Sequence, residues 1–387
     1  MRYQAIELAR KATTKLDACH NFVSASNRLS DYVAACMDAS PHGLHLEGYP
    51  GVRFHEGADL IDELETHAED LAKDIYSVPF ASVQPWRCTN AILATAHGLT
   101  GLGSAILGLD CSSGGYFATG ASKAHLLSSL YNVQTYTVDP TNHLLDYDQI
   151  RKKAREAKPA IIFAGDTSYS RTWDWPQMRS IADEVGAYLV ADVSQIAGLI
   201  AGRVLGNPAP LADVTIFATY KTLRGPRGAL VLANDASVFS KIRRAIYPGL
   251  QSAVDPRLVA GIAAALEEAR SPEFPVYARQ IVLNAQQLCA EIQEAGLGVV
   301  GGGTDNHSFT ISLSEDESTD AATVCHYLAK RGILTNKTPV PFDTRPISKC
   351  SGIRIGTPFE TSRDITSDEL TVVAAQVKAA CLDPAVA

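Results

Sequence analysis

Between residues 80 and 232 the chain alternates short apolar runs with stretches in which apolar residues recur three and four positions apart. The runs 103–110, 160–165, 188–193, 214–219 and 228–232 are too short for helices and read as strands, while 147–157 and 176–186 carry the stripe of a helix packed on a sheet. Strand and helix in turn predict a mostly parallel, doubly wound sheet. Beyond about residue 265 the texture changes to a long helical segment (275–297), a turn at Gly301, Gly302 and Gly303, then short strands and helices. The expected organisation is an N-terminal arm over 1–50, a large domain over 51–265 and a smaller C-terminal α/β domain over 266–387. The arm is expected to pack on the large domain or on a partner subunit.

At 387 residues and 46% apolar content the chain can fill two cores. Its net charge of -8, with Lys and Arg scattered, offers no basic face and argues against a nucleic-acid partner. No apolar run is long enough to cross a bilayer and no leader pattern opens the sequence, so a soluble cytoplasmic protein with no membrane partner is expected. The eight cysteines form no CxxC pairs, and His42 and His45 stand in no helical HExxH frame. Reduced, mostly buried thiols and no metal site are therefore expected. Gly101-Leu102-Gly103 lacks the third glycine of a dinucleotide loop and reads as a turn.

The stretch Thr219-Tyr220-Lys221-Thr222-Leu223-Arg224-Gly225-Pro226-Arg227-Gly228 follows an apolar strand directly. It puts Lys221 on the carboxyl edge, where open α/β sheets bind ligands. A lone loop lysine is ordinarily just solvated. Here the Gly-Pro-Arg-Gly turn and an upstream acid have to be explained as well. That acid, Asp192, ends the run Tyr188-Leu189-Val190-Ala191-Asp192, where a carboxylate is costly without a partner. It reads either as a helix N-cap or as the partner of a buried cationic ring nitrogen.

Further segments extend the pattern: Leu46-Glu47-Gly48-Tyr49-Pro50-Gly51, Ala81-Ser82-Val83-Gln84-Pro85, Leu130-Tyr131-Asn132, Ala197-Gly198-Leu199-Ile200, Gly302-Gly303-Thr304-Asp305-Asn306-His307 and Ser351-Gly352-Ile353-Arg354-Ile355-Gly356-Thr357-Pro358. In their order and spacing the chain resembles the serine hydroxymethyltransferase family, from about Asn27 to beyond Pro358. The resemblance implies a fold-type I transferase dependent on pyridoxal 5'-phosphate. Lys221 then matches the Schiff-base lysine, Asp192 the partner of the pyridine nitrogen, and Arg354 the arginine that grips the substrate α-carboxylate. Arg227 is similar to a site arginine near the cofactor, and Thr167 to a hydroxyl residue that reaches the ring oxygen. Glu47 matches an acid that reaches the substrate hydroxyl across a dimer interface. On the residues alone, Glu47 also reads as a solvated acid and Arg354 as a surface strand arginine.

The chain departs from the family around this same site. Tyr116 stands where a histidine stacks on the cofactor ring, Gln195 where a histidine lies near the ring oxygen, and Tyr220 replaces the histidine before the lysine. Arg87-Cys88-Thr89 replaces the small phosphate-cradle residues, leaving Cys88 and Thr89 to line the cradle. His55 and His45 stand in place of interface tyrosines, and Ala25 in place of a serine. On the folate side Phe54 and Lys337 are kept, while Thr338 and Cys111 are changes.

The resemblance thus implies at least a homodimer that makes or breaks the Cα–Cβ bond of a β-hydroxy-α-amino acid such as serine or threonine, with an aldehyde or a one-carbon donor as second substrate. Tetrahydrofolate is an open question. A folate-independent threonine aldolase or transaldolase is one alternative, and another reaction at Cα or Cβ a second. An inactive interaction protein on the same fold is a third, against which Lys221, Asp192 and Arg354 count.

Overall fold

The computed structural model describes residues 4–313 and 319–382. Its centre is a seven-stranded sheet in the order Phe80–Ser82, Ala229–Ala233, Val214–Ala218, Tyr188–Asp192, Ile161–Gly165, Ala105–Leu109, Asn132–Tyr136. Six of these strands run the same way and Ala229–Ala233 runs against both neighbours. The five apolar runs are therefore strands as expected. The two additional strands, Phe80–Ser82 and Asn132–Tyr136, form the edges of the sheet.

Alternation along each strand builds two cores, because successive side chains point to opposite faces. Leu107, Leu109, Ile162, Leu189, Phe217 and Leu230 face one side, where they meet the helices Asp59–Tyr76, Tyr147–Ala157, Trp175–Val185 and Pro256–Arg270. Ile106, Phe163, Val190, Ile216 and Val231 face the other, under Cys88–Leu99 and Ala236–Arg244. Capping sets several of these helices in place: the Asp174 side chain accepts from the Gln177 N–H with Pro176 in the first turn, and Gly186 ends that helix in the left-handed conformation.

A second, antiparallel sheet has the order Gly298–Val299, Ser308–Ser312, Gly352–Gly356, Asn336–Thr338. It packs on Ala321–Lys330, Ser367–Leu382 and the far half of the 21-residue helix Phe274–Glu294. That helix gives Ile281 and Val282 to the first core, and Leu288 and Ile292 to the second core. Helix Pro256–Arg270 runs through residue 265.

The arm divides between partners. Helix Asp31–Ala39 lies on Pro256–Arg270, but His20–Asn21 pairs in parallel with Ile333–Leu334. The arm thus also adds a strand to the C-terminal part of the chain, a contact its short polar sequence does not announce. The cysteines are free, but only Cys289, Cys350 and Cys381 are buried and the other five are half-buried, which corrects the expectation of mostly buried thiols. No helix among the described residues is long and apolar enough to cross a membrane.

Candidate active site

The carboxyl ends of the parallel strands converge on one cluster. Strand Tyr188–Asp192 delivers Asp192, its neighbour Val214–Ala218 leads through two turn residues to Lys221, and Asp166 follows Ile161–Gly165. Asp192 and Lys221 are each only 8% exposed, so two groups of opposite charge are drawn from water side by side. Burial pushes the Asp192 carboxyl up, against the lowering effect of Ser194 and of Lys221. Burial pushes the Lys221 amine down, opposed by Asp192. The Ser194 N–H and hydroxyl both donate to Asp192 Oδ1, at 3.0 and 2.5 Å, fixing the carboxylate's orientation and leaving Oδ2 facing Cys88.

Cys88 begins the helix Cys88–Leu99, whose N-terminus has no side-chain cap. Its first-turn N–H groups are thus left to an anion or to water. The Cys88 thiol turns inward, with Sγ 3.2 Å from Ser194 Oγ and 4.0 Å from Asp192 Oδ2, and burial raises its pKa. Thr89 Oγ1 is 3.1 Å from the Tyr116 hydroxyl, and burial holds the Tyr116 phenol up to about 12. Gln195 is buried, with no partner for Oε1 among the described residues, while its backbone carbonyl accepts from Thr222 Oγ1 at 2.9 Å. The guanidinium of Arg227 stacks 4.5 Å above the Tyr220 ring.

Arg354 reaches this cluster from the second sheet. It lies in the buried strand Gly352–Gly356; Nη1 donates to the Thr167 carbonyl at 2.5 Å and Nε to Asn336 Oδ1 at 3.3 Å. Nη2 has no hydrogen bond among the described residues. Burial lowers the pKa of the guanidinium to about 10, with Asp166 and Tyr220 opposing, so it remains a cation at neutral pH. The strand is seated closely: a Cβ at Gly356 would lie 2.5 Å from Ser24 Cα, so only glycine admits the arm at this point.

Three members of the cluster were not singled out from the sequence. Ser194 orients Asp192, and its signal was the Asp-x-Ser step after a strand. Asp166, raised by burial to about 7 and hydrogen-bonded by Trp173 Nε1 at 2.9 Å, carries the same strand-end signal as Asp192. His307 is fully buried with neither ring nitrogen in good hydrogen-bond geometry, the Ser24 backbone lying beside it. Burial, then the charges of Lys221 and Arg354, lower its pKa to about 3.

Two expected site residues make their contacts elsewhere. Glu47 and His55 meet on the strand pair Gly48–Tyr49 and Val52–Arg53, together with His45, and no contact joins them to Lys221. Neither a helical HExxH frame nor a CxxC pair marks these three residues in the sequence. The grouping exists only once the hairpin closes.

The cluster fits pyridoxal phosphate by the chemistry of its donors. It has a buried amine held toward the neutral form, a buried carboxylate for a ring N–H, an uncapped helix start for a phosphate and the unpartnered Gln195 Oε1. The family model for serine hydroxymethyltransferase matches residues 4–377. A serine hydroxymethyltransferase of Paracoccus denitrificans is 40% identical over 352 residues, covering 91% of this chain and 82% of the relative. The chain belongs to the serine hydroxymethyltransferase family of pyridoxal-phosphate-dependent, fold-type I enzymes.

Proposed function

We propose that the strand-end cluster is the active site, working on the Cα–Cβ bond of a β-hydroxy-α-amino acid. The observation that carries this reading is the pair Asp192 and Lys221, buried side by side at the ends of neighbouring strands. When bound, pyridoxal phosphate supplies the electron sink that makes the substrate Cα–Cβ bond labile.

The chain's own residues do the rest. Lys221 holds the cofactor covalently, because burial disfavours the ammonium form and frees the amine lone pair. Asp192, oriented by Ser194, keeps a proton on the ring nitrogen. The first-turn N–H groups at Cys88 and Thr89 would hold the phosphate, and Tyr116, whose hydroxyl lies 3.1 Å from Thr89 Oγ1, would offer an aromatic face to the ring. Gln195 and Thr167 would offer polar groups to the ring, and Arg227 stacks on Tyr220, the residue before Lys221. Arg354 binds the substrate carboxylate through its open Nη2, while Thr167 and Asn336 fix the rest of the fork. Glu47 and His55, on an outward hairpin, move the proton of the β-hydroxyl in the site of a second copy, which makes the working unit at least a homodimer.

The test is to incubate the cofactor-loaded protein with serine, threonine and glycine, each with and without tetrahydrofolate, and to measure aldehyde and glycine formed. Cleavage of at least one β-hydroxy amino acid, lost in Lys221→Ala, is expected. Absence of any cofactor uptake by the wild-type protein would sink the reading.

A further inference from the structure

A second cluster of side chains gathers at the hairpin Gly48–Arg53, apart from the Lys221 of its own chain. His45 Nε2 is 3.3 Å from Glu47 Oε1 and His55 Nε2 is 3.5 Å from Glu47 Oε2. The two imidazoles meet edge to face with centroids 5.1 Å apart. One ligand atom from each residue falls within 4.8 Å of the others.

These separations are long for charge-assisted hydrogen bonds, which run at about 2.7–2.9 Å. They suit a shared cation better: zinc bonds of about 2.0–2.2 Å to imidazole nitrogen and carboxylate oxygen place tetrahedral ligand atoms about 3.3–3.6 Å apart. Closing all three residues on one ion takes a side-chain movement of about an ångström. Within one chain the rings are half-exposed, with side-chain accessibilities of 58% for His45 and 47% for His55.

The backbone beneath them is fixed. The Phe54 N–H donates to the Glu47 carbonyl at 3.1 Å, continuing the register Gly48↔Arg53, so the strand pair sets Glu47 beside the chain leading to His55. Gly48 has φ +100°, and a Cβ there would stand 2.5 Å from the Val52 carbonyl oxygen, so a side chain would open the hairpin. Arg53, 4% exposed, donates to the Gly48 carbonyl at 2.7 Å and to Asp62 Oδ1 at 2.8 Å, and pairs with the fully buried Glu65. Gln84 Nε2 completes the anchor, donating to Glu65 at 2.7 Å and to the Gly48 carbonyl at 3.1 Å. Ligands on a hairpin pinned from below have little backbone freedom to lose on binding an ion.

We propose that His45, Glu47 and His55 form a binding site for a divalent transition-metal cation. Two imidazoles and one carboxylate favour zinc, cobalt, nickel or iron over magnesium and calcium, whose preferred ligands are all oxygen. Three protein ligands leave coordination positions for water or for an oxygen of a small molecule. Cation and proton are alternatives at Glu47, so a loaded site replaces its proton-carrying role with Lewis-acid character. The proposal does not depend on the roles given to Lys221, Asp192 or Arg354.

The test is equilibrium dialysis of the full-length, cofactor-loaded protein against Co2+ alone, with bound metal counted by elemental analysis and its coordination followed by visible ligand-field bands. One ion per chain is expected, with the band intensity of a four- or five-coordinate site. Removing even an outer hydrogen-bond partner of a metal ligand commonly weakens binding about 10- to 100-fold, so His45→Ala and His55→Ala should each lose at least tenfold. His42→Ala, a change at an exposed histidine outside the cluster, should leave the affinity unchanged. Circular dichroism of each metal-free variant should match the wild type. Binding that survives in the His45→Ala/His55→Ala double variant, or falls equally in His42→Ala, overturns the site, as does the absence of stoichiometric Co2+. Cofactor absorbance is read separately, so these results stand apart from any failure of the Lys221 assignment.

Discussion

Arg354 Nη1 donates to the backbone carbonyl of Thr167 at 2.5 Å, joining a strand of the small antiparallel sheet to the loop that leaves the large one. Ser170 Oγ to the Gly303 carbonyl, at 2.7 Å, and Asn306 Nδ2 to the Tyr169 carbonyl, at 3.2 Å, hold the same loop to the same neighbour. The guanidinium is thus positioned by the Thr167 backbone carbonyl and the Asn336 side chain, with one arm left for a ligand. Truncating one partner of a buried, hydrogen-bonded charge pair costs about 2–5 kcal/mol. Arg354→Ala should therefore weaken serine and glycine binding by roughly 30-fold or more, while cofactor affinity changes little. Unchanged amino-acid affinities in a titration would remove Arg354 from the substrate site.

Lys221 should carry the cofactor covalently. Borohydride reduction of the loaded protein followed by peptide mass analysis should place the added mass on the peptide containing Lys221, and Lys221→Ala should leave none. Label on a different lysine in the wild-type protein would show that the strand-end reading chose the wrong amine.

Asp192 and Ser194 act as one unit, since both Ser194 donors are spent on Oδ1. Asp192→Asn keeps the shape but removes the charge that stabilises a ring N–H. An uncompensated buried charge costs roughly 3–5 kcal/mol, so turnover should fall at least about 100-fold while some cofactor stays bound. Full activity in Asp192→Asn would mean that the acid is structural.

His307 makes the stability of the fold depend on pH. Its folded pKa of about 3 lies below the ordinary histidine value of about 6.5. As pH falls below about 6.5 the unfolded chain takes up a proton that the folded one refuses, and stability is lost progressively down to about pH 3. His307→Gln removes that uptake. Between pH 6 and 5 the variant should gain on the wild type by roughly 1 kcal/mol in urea unfolding of the cofactor-free protein. A difference that does not vary with pH would show that His307 is protonated alike in both states.

The parts of this molecule that were legible in the sequence are those where one residue type dominates locally. The inner strands are apolar because both faces are covered, so their runs stand out. The two strands that escaped notice are the sheet edges: Asn132–Tyr136 has one buried residue in five, and Phe80–Ser82 spans three positions. Asp192 and Lys221 were legible as candidates because an acid closing an apolar strand needs a partner and a lysine follows the next strand beside a Gly-Pro-Arg-Gly turn, whereas Arg354 stood out only through the family resemblance. The His45, Glu47 and His55 grouping was not legible, since it depends on a turn held by Arg53, Glu65 and Gln84 from three separate parts of the chain. Pairing of His20–Asn21 with Ile333–Leu334 was equally hidden, because two polar residues carry no period.

Lys337, retained on the folate side, donates one hydrogen bond to the Ser348 carbonyl at 3.1 Å, and the Cys111 thiol donates to the Gly120 carbonyl at 3.1 Å. Cys111 has a single donor and cannot give it to a pteridine without losing that bond, whereas Lys337 keeps two of its three N–H donors. Phe54 is 72% exposed and available as an aromatic face, but Thr338 has a shorter side chain than the asparagine of the family pattern and offers a hydroxyl in place of an amide. Releasing a protein hydrogen bond to make a ligand one yields little net energy, since each contributes only about 0.5–1.5 kcal/mol after solvent exchange. The amino-acid side, by contrast, keeps the preorganised Arg354 fork. Cleavage of a β-hydroxy amino acid should therefore proceed without tetrahydrofolate, and adding it should raise the rate less than about tenfold, the equivalent of a single such bond. The measurement is glycine formed from serine and from threonine, with and without tetrahydrofolate, at matched enzyme concentration. Strong folate dependence with serine, together with inertness toward threonine, would show that Cys111 rearranges readily and that the changes around the site are tolerated variations in an ordinary hydroxymethyl transfer.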